Sequence, residues 1–267
     1  MLSALEQFAP LPLQESWDNA GLQIGLTEAD VSGALLCLDV TENVIDEAIA
    51  KGCNLVVSHH PLLFRGLKQV SDVNDVQRTV RKAIKHDVCV ISMHTNMDNA
   101  KGGVNFKIAE RLGAQIPAPC YSLASPLLLP SNALATPTQE KMPFVLADLP
   151  QPLAAEAFIA LVKECFGVKC AMCNELLQRP IRKVAICGGA GDFMLDEAIA
   201  AGADAFITGE MHYHVYFGHE QQIQICVIGH YESEQFTSEI FQEIIQKECP
   251  GVPTFIAETN TNPIKYF

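Results

Sequence analysis

The chain has 267 residues, 49% hydrophobic and 18% charged, the balance of a folded globular protein and not of a disordered or fibrous one. Eighteen basic against 31 acidic residues leave a formal charge of −13, which opposes non-specific attraction to a phosphate backbone and argues against nucleic acid as a partner. The apolar runs are short and broken by proline, below the roughly 20 residues of a membrane span, and "MLSALEQFAPLPLQ" lacks the pattern of a secretion signal, so a cytoplasmic protein is expected.

The first distinctive stretch is "SWDNAGLQIG" (16–25), which holds the only tryptophan, Trp17; Asp18 and Asn19 either shape the turn before Gly21 or serve a site. Residues 34–60 then read as strand, polar turn, amphipathic helix ending in glycine, and a second apolar strand that runs into His59 and His60. Neutral imidazole is the commonest metal ligand. Neighbours on a continuing strand point to opposite faces, so His59 and His60 are expected to diverge toward different ions unless the chain twists at Pro61.

"VCVISMHTNMD" (88–98) is another apolar strand, followed by His94 and, four residues on, Asp98. In "NAKGGVN" (99–105), Lys101, Gly102 and Gly103 precede a helix and are candidates for contacting a phosphate or carboxylate through free N–H groups. Residues 118–143, rich in proline, serine and threonine, read as a connection; a strand at "FVLADL" and a helix near 153–166 follow. Cys170 and Cys173 form one C-x-x-C without a second pair, so they are expected to be helical or loop cysteines without special chemistry. Cys37, Cys89, Cys187 and Cys226 lie in apolar strand-like runs and are expected to be buried and reduced.

Residues 184–210 repeat 34–60 without a gap: Asp46 to Ala50 match Asp196 to Ala200, Gly52 matches Gly202, and Cys37 matches Cys187. The second copy opens with "CGGAGDF" (187–193), which fails the dinucleotide pattern G-x-G-x-x-G at Met194 and reads as a tight turn permitting close approach of backbone or ligand. It ends in "TGEMHYH", whose Glu210 and His212 are candidates for proton transfer or are plain loop residues. "ICVIGHYESE" (225–234) places His230 and Glu234 after a strand; a helix over about 233–248 and a strand at 253–257 close the chain. Strands alternating with helices predict parallel, layered α/β sheets, with ligand groups beyond the carboxyl ends of the strands. Adjacent histidines, a His-x3-Asp and a His-x3-Glu point to a divalent metal pair, with Asp98 and Glu234 as anionic ligands able to bridge; zinc, manganese, iron, cobalt and nickel all suit this donor mix.

Together "SWDNAGLQIG", "SHHPLLF", "HTNMD" with "GGVN", "GGAGDF", "ADAFITGEMHYH" and "GHYESE" resemble the Nif-three-like dinuclear metal-binding family, the GTP cyclohydrolase I type 2 homologues, in order from Trp17 to Glu234. The resemblance implies a duplicated, interleaved two-part α/β fold, one part about 1–122 plus 232–267 and the other about 123–231. It implies a toroidal homohexamer with sites facing an internal cavity. It implies two metal ions, one on His60 and Asp98, the other on His59 and His230, bridged by a catalytic Glu234, with His94 a neighbour and not a ligand. The implied activity is a metal-dependent hydrolase opening the imidazole ring of a purine nucleotide such as GTP; the alternative is a non-catalytic metal-binding regulatory or scaffold protein. Two features depart from the family: residues about 120–150 lack its glycine-rich, arginine-containing segment, and the chain is too short for the large inserted domain of longer members.

Overall fold

A computed structural model describes residues 1–117 and 141–267, so the connection expected over 118–143 lies almost wholly outside the described residues. In chain order come helix α1 (Leu2–Phe8), strands β1 (Gly21–Ile24) and β2 (Ala34–Cys37), helix α2 (Glu42–Ala50), strand β3 (Leu55–Ser58), helix α3 (Asp75–Lys85), strand β4 (Cys89–Ser92) and the short helix α4 (Thr95–Asp98). Then follow α5 (Val104–Arg111), β5 (Val145–Leu153), α6 (Ala155–Phe166), β6 (Met172–Cys173), β7 (Ile181–Ala190), α7 (Leu195–Ala200), β8 (Ala205–Glu210), β9 (Gln224–Val227) and α8 (His230–Glu234). Helix α9 (Thr237–Glu248) and strand β10 (Thr254–Ile256) complete the chain.

The elements fall into two units: Met1–Ala100 with Phe236–Lys265 and Phe267, and Lys101–Gln235 with Tyr266. The expected boundary near 122 lies outside the described residues. The chain already belongs to the second unit at α5, because that helix packs on β7 and β5. It leaves that unit after Gln235, where a boundary near 231 was expected, because α8 packs on β7 and β8.

In the first unit the described strands form a sheet in the order β1-β4-β3-β2-β10, with β4, β3, β2 and β10 parallel and β1 antiparallel at one edge. Every residue of β2 and β3 is buried, the pattern of parallel strands covered on both faces. Thr41 caps α2 by accepting the Val44 N–H at 3.3 Å, and the helix buries Val44, Ile45 and Ala48. Helix α3 is capped by Asn74, which accepts from the Gln77 N–H at 2.9 Å, and buries Val80 and Ala83 in the same apolar cluster as Leu35 and Val56.

The second unit's sheet runs β5-β7-β8-β9-β6, with β7, β8 and β9 parallel and antiparallel strands at both edges. Its α7, carrying the repeated Asp-Glu-Ala-Ile-Ala, buries Leu195 and Ala198 against Phe206, Ile225 and Val227. The orders β4-β3-β2 and β9-β8-β7 correspond, which is the duplication expected from residues 34–60 and 184–210. The helix expected over 233–248 is α9, which begins at Thr237; the first two residues of the expected helix end a separate short helix, α8. The apolar periodicity is continuous in sequence, yet α8 buries its face in the second unit and α9 packs on α1 and β2 in the first. Among the described residues no helix is long and apolar enough to cross a membrane.

Candidate metal centre

Strand β3 ends at Ser58, whose hydroxyl donates to the His60 carbonyl at 2.9 Å and pairs with the Ser92 hydroxyl at 2.8 Å. The chain bends at His59 and His60, so strand alternation no longer governs their directions. Contrary to the divergence expected of strand neighbours, the two rings converge, with centroids 4.9 Å apart. His94, which precedes α4, completes the cluster at 5.3 Å from His59 and 5.4 Å from His60. Donor nitrogens of these three histidines all lie within 4.8 Å of one another.

Each of the three rings is anchored through Nδ1. His59, fully buried, lies 2.9 Å from the Met93 carbonyl, which can only accept, so Nδ1 carries a proton. His60 Nδ1 is 2.8 Å from Asp39 Oδ1, and His94 Nδ1 is 2.7 Å from Asp18 Oδ1. A carbonyl or carboxylate on Nδ1 with Nε2 left for a cation is the arrangement found behind metal-ligating histidines. Burial opposes the charge on Asp39, but His60 and the Thr261 hydroxyl, 2.6 Å away, lower its pKa. Burial likewise opposes the charge on Asp18, but His94, Thr95 and the Asn19 backbone N–H bring it down to about 2. Both carboxylates therefore remain acceptors at neutral pH. Asp98, the last residue of α4, brings Oδ1 to 3.5 Å from His59 Nε2, where the resemblance pairs Asp98 with His60.

In the second unit His230 opens α8 and Glu234 lies one turn later. His230 Nε2 is 3.1 Å from Glu234 Oε2, and Nδ1 is 3.0 Å from Glu210 Oε1 at the end of β8. Glu210, a candidate for proton transfer, thus orients the His230 ring. The Glu234 side chain is only 4% exposed. It fits because Gly189, at φ +60°, has no side chain: a Cβ there would overlap Glu234 Oε1 and approach His230 Nε2 to 3.4 Å. Gly209 does the same for the helix backbone, since its Cβ would lie 2.9 Å from His230 Cα. The glycines of "GGAGDF" and "TGE" therefore serve the close approach expected of the former.

His212 is 88% exposed and is not brought to this group; its Nδ1 pairs with Asp192, whose hydrogen bond raises the His212 pKa. Lys101 and Gly102 are exposed, and the buried Gly103 is the N-cap of α5 without a side-chain cap. Sequence reasoning missed Asp39 and the hydrogen-bonding roles of Asp18 and Glu210. "SWDN" and "TGEMHYH" carried signals, which pointed as well to a turn and to plain loop residues. The donor set suits a divalent cation: imidazoles and carboxylates brought together in buried or half-buried positions.

The chain is 29% identical over 272 residues to a GTP cyclohydrolase 1 type 2 homolog of Clostridium acetobutylicum, covering 100% of this chain and 97% of the relative. It is 32% identical over 235 residues to one from Clostridium perfringens, covering 88% and 85%. Among solved structures, that of Staphylococcus aureus protein SA1388 matches with a TM-score of 0.86 at 27% identity, over 100% of this chain and 97% of that one. A Bacillus cereus protein related to NIF3 matches at 0.82 and 25%, over 99% and 97%. Residues 1–263 match the family model Duf34/NIF3 (NGG1p interacting factor 3), and the chain belongs to that family.

Proposed function

We propose that the protein is a divalent-metal-dependent hydrolase that uses two cations, with His59, His60 and Asp98 as ligands in the first unit and His230 and Glu234 as ligands in the second. The observation that carries this reading is the gathering of donor nitrogens of His59, His60 and His94 within 4.8 Å of one another, with His59 and His60 held through Nδ1 by the Met93 carbonyl and Asp39. The mixed imidazole and carboxylate donors suit zinc, manganese, iron, cobalt or nickel. Bound there, such cations supply Lewis-acid activation of water and of the bond it attacks. The chain's own groups do the rest: the Met93 carbonyl and Asp39 hold the His59 and His60 rings, Glu210 holds His230, and Glu234 contributes a buried carboxyl group.

The substrate we propose is a purine nucleotide such as GTP, supported by the relatives being named GTP cyclohydrolase 1 type 2 homologs. Lys101 and the N–H groups after Gly102 and Gly103 are proposed to contact its phosphates. A toroidal homohexamer is proposed on the family resemblance, and light scattering on the eluting protein tests it. For the activity, metal content and turnover of GTP and a nucleotide and phosphoester panel are measured with manganese or zinc for wild type and Glu234→Ala. Wild type is expected to hold metal and turn over a substrate, and the variant to lose both. A metal-free wild type, or unchanged activity in the variant, overturns the proposal; full metal occupancy with no turnover favours the non-catalytic scaffold.

A further inference from the structure

Apart from these ligands, the second unit sets two thiols face to face. Strand β6 is an edge strand paired antiparallel to β9, in a register that puts Cys173 opposite Cys226 and Met172 opposite Val227. Directly opposed residues of an antiparallel pair have Cα atoms about 4.5 to 5.5 Å apart, inside the roughly 4.4 to 6.8 Å that a disulfide spans. Both cysteines are free thiols here; Cys226 is buried and Cys173 half-buried. Cys170, the other member of the C-x-x-C, is exposed and lies outside the strand.

Cys173 also lines a cavity of about 630 Å³ with Met172, Met211, Tyr213, Tyr216 and Phe217, whereas Cys226 is fully buried. A hydrogen bond with Cys226 pulls the Cys173 pKa down; the same bond, with burial, raises that of Cys226 well above the ordinary thiol value. The Tyr216 hydroxyl is buried without a hydrogen-bond partner among the described residues. Burial and the nearby thiols push its pKa up to about 12, so it remains a donor. An oxygen atom added to Cys173 would give that donor an acceptor.

We propose that Cys173 is a hydroperoxide-reactive thiol and Cys226 its resolving partner. The Cys173 thiolate attacks one peroxide oxygen; the O–O bond breaks, an S–O bond forms, and the other oxygen leaves and is protonated to water or an alcohol. Cys173 is thereby oxidised to a sulfenic acid. The Cys226 sulfur then attacks the Cys173 sulfur, the S–O bond breaks, and the hydroxyl departs with the Cys226 proton as water, leaving a disulfide. One hydroperoxide is reduced and the two thiols give up two electrons. The product ties edge strand β6 covalently to β9 at the wall of the cavity.

The test treats the intact protein with hydrogen peroxide, blocks remaining thiols by alkylation and maps peptides by mass spectrometry without reduction. A Cys173–Cys226 linked peptide is expected, absent from Cys173→Ser. In Cys226→Ser the sulfenic acid persists, and a dimedone adduct on Cys173 is expected. Wild type alone decides the matter should a variant fail to fold: no linked peptide, or linkage of Cys173 to Cys170 instead, overturns the proposal, as does dimedone labelling of other cysteines in preference to Cys173.

Discussion

Asp39 holds His60: Oδ1 lies 2.8 Å from the imidazole Nδ1, and the second oxygen is held in turn by the Thr261 hydroxyl at 2.6 Å. The pair fixes both the tilt of the ring and the nitrogen that carries its proton. Removing such a partner of a metal-binding histidine weakens metal affinity by about 10 to 100-fold. Asp39→Ala is expected to lower affinity for zinc or manganese by that factor. Asp39→Asn, which still accepts from Nδ1–H through its amide oxygen, is expected to lose less. Competition with a chelating dye measures both, and equal, undiminished affinities would contradict the role given to His60.

Gly189 gives a second, purely steric prediction. Alanine there meets both a left-handed backbone, φ +60°, and the Glu234 carboxylate. The backbone alone costs roughly 1 to 2 kcal/mol, and displacing Glu234 removes a proposed ligand. Gly189→Ala is expected to lower the urea midpoint and bound metal together. A stable variant with full metal content would show that Glu234 is not seated by this glycine.

Asp18 predicts a pH dependence. Its folded pKa, about 2, is below the ordinary 3.8, so its stabilisation is fully present above 3.8 and is lost as pH falls toward 2. Allowing for solvent screening, the contribution is about 1 to 2 kcal/mol. The stability difference between wild type and Asp18→Asn is therefore expected to be largest above pH 4 and to shrink toward pH 2. Urea denaturation across that range measures it; a difference that grows on acidification has the wrong sign for this account.

Asn74 caps α3 within the first unit, by a side-chain hydrogen bond to the Gln77 N–H. Asn74→Ala is expected to cost about 1 kcal/mol and to leave metal affinity unchanged. Thermal unfolding and the same dye competition separate the two effects, and a drop in metal affinity would show that the helix matters to the ligands beyond stability.

Much of the architecture was legible because its causes are local. The periodicity of "ENVIDEAIA" and the apolar run "LVVS" each carry their own secondary structure, and the repeat of that pattern at 184–210 carried the duplicated parallel sheets. Helix α8 was not foreseen, and only its end overlaps the start of the helix expected over 233–248, because apolar periodicity does not reveal that adjoining stretches face different cores. Cys173 read as an isolated half of a C-x-x-C, because antiparallel register, and not spacing along the chain, gives it Cys226.

The sequence by itself determined which residues have ligand chemistry, His59, His60, Asp98, His230 and Glu234, since imidazole and carboxylate are recognisable wherever they fall. It also determined the apolar strands that precede them, though not the short helices α4 and α8 that carry Asp98, His230 and Glu234. Tertiary structure decided how those groups are held: the bend after Ser58 that makes His59 and His60 converge, and the acceptors at Met93, Asp39 and Asp18 that put each proton on Nδ1. Periodicity is a property of neighbours in the chain, whereas a ring's tautomer and direction depend on hydrogen bonds between residues as far apart as Asp18 and His94.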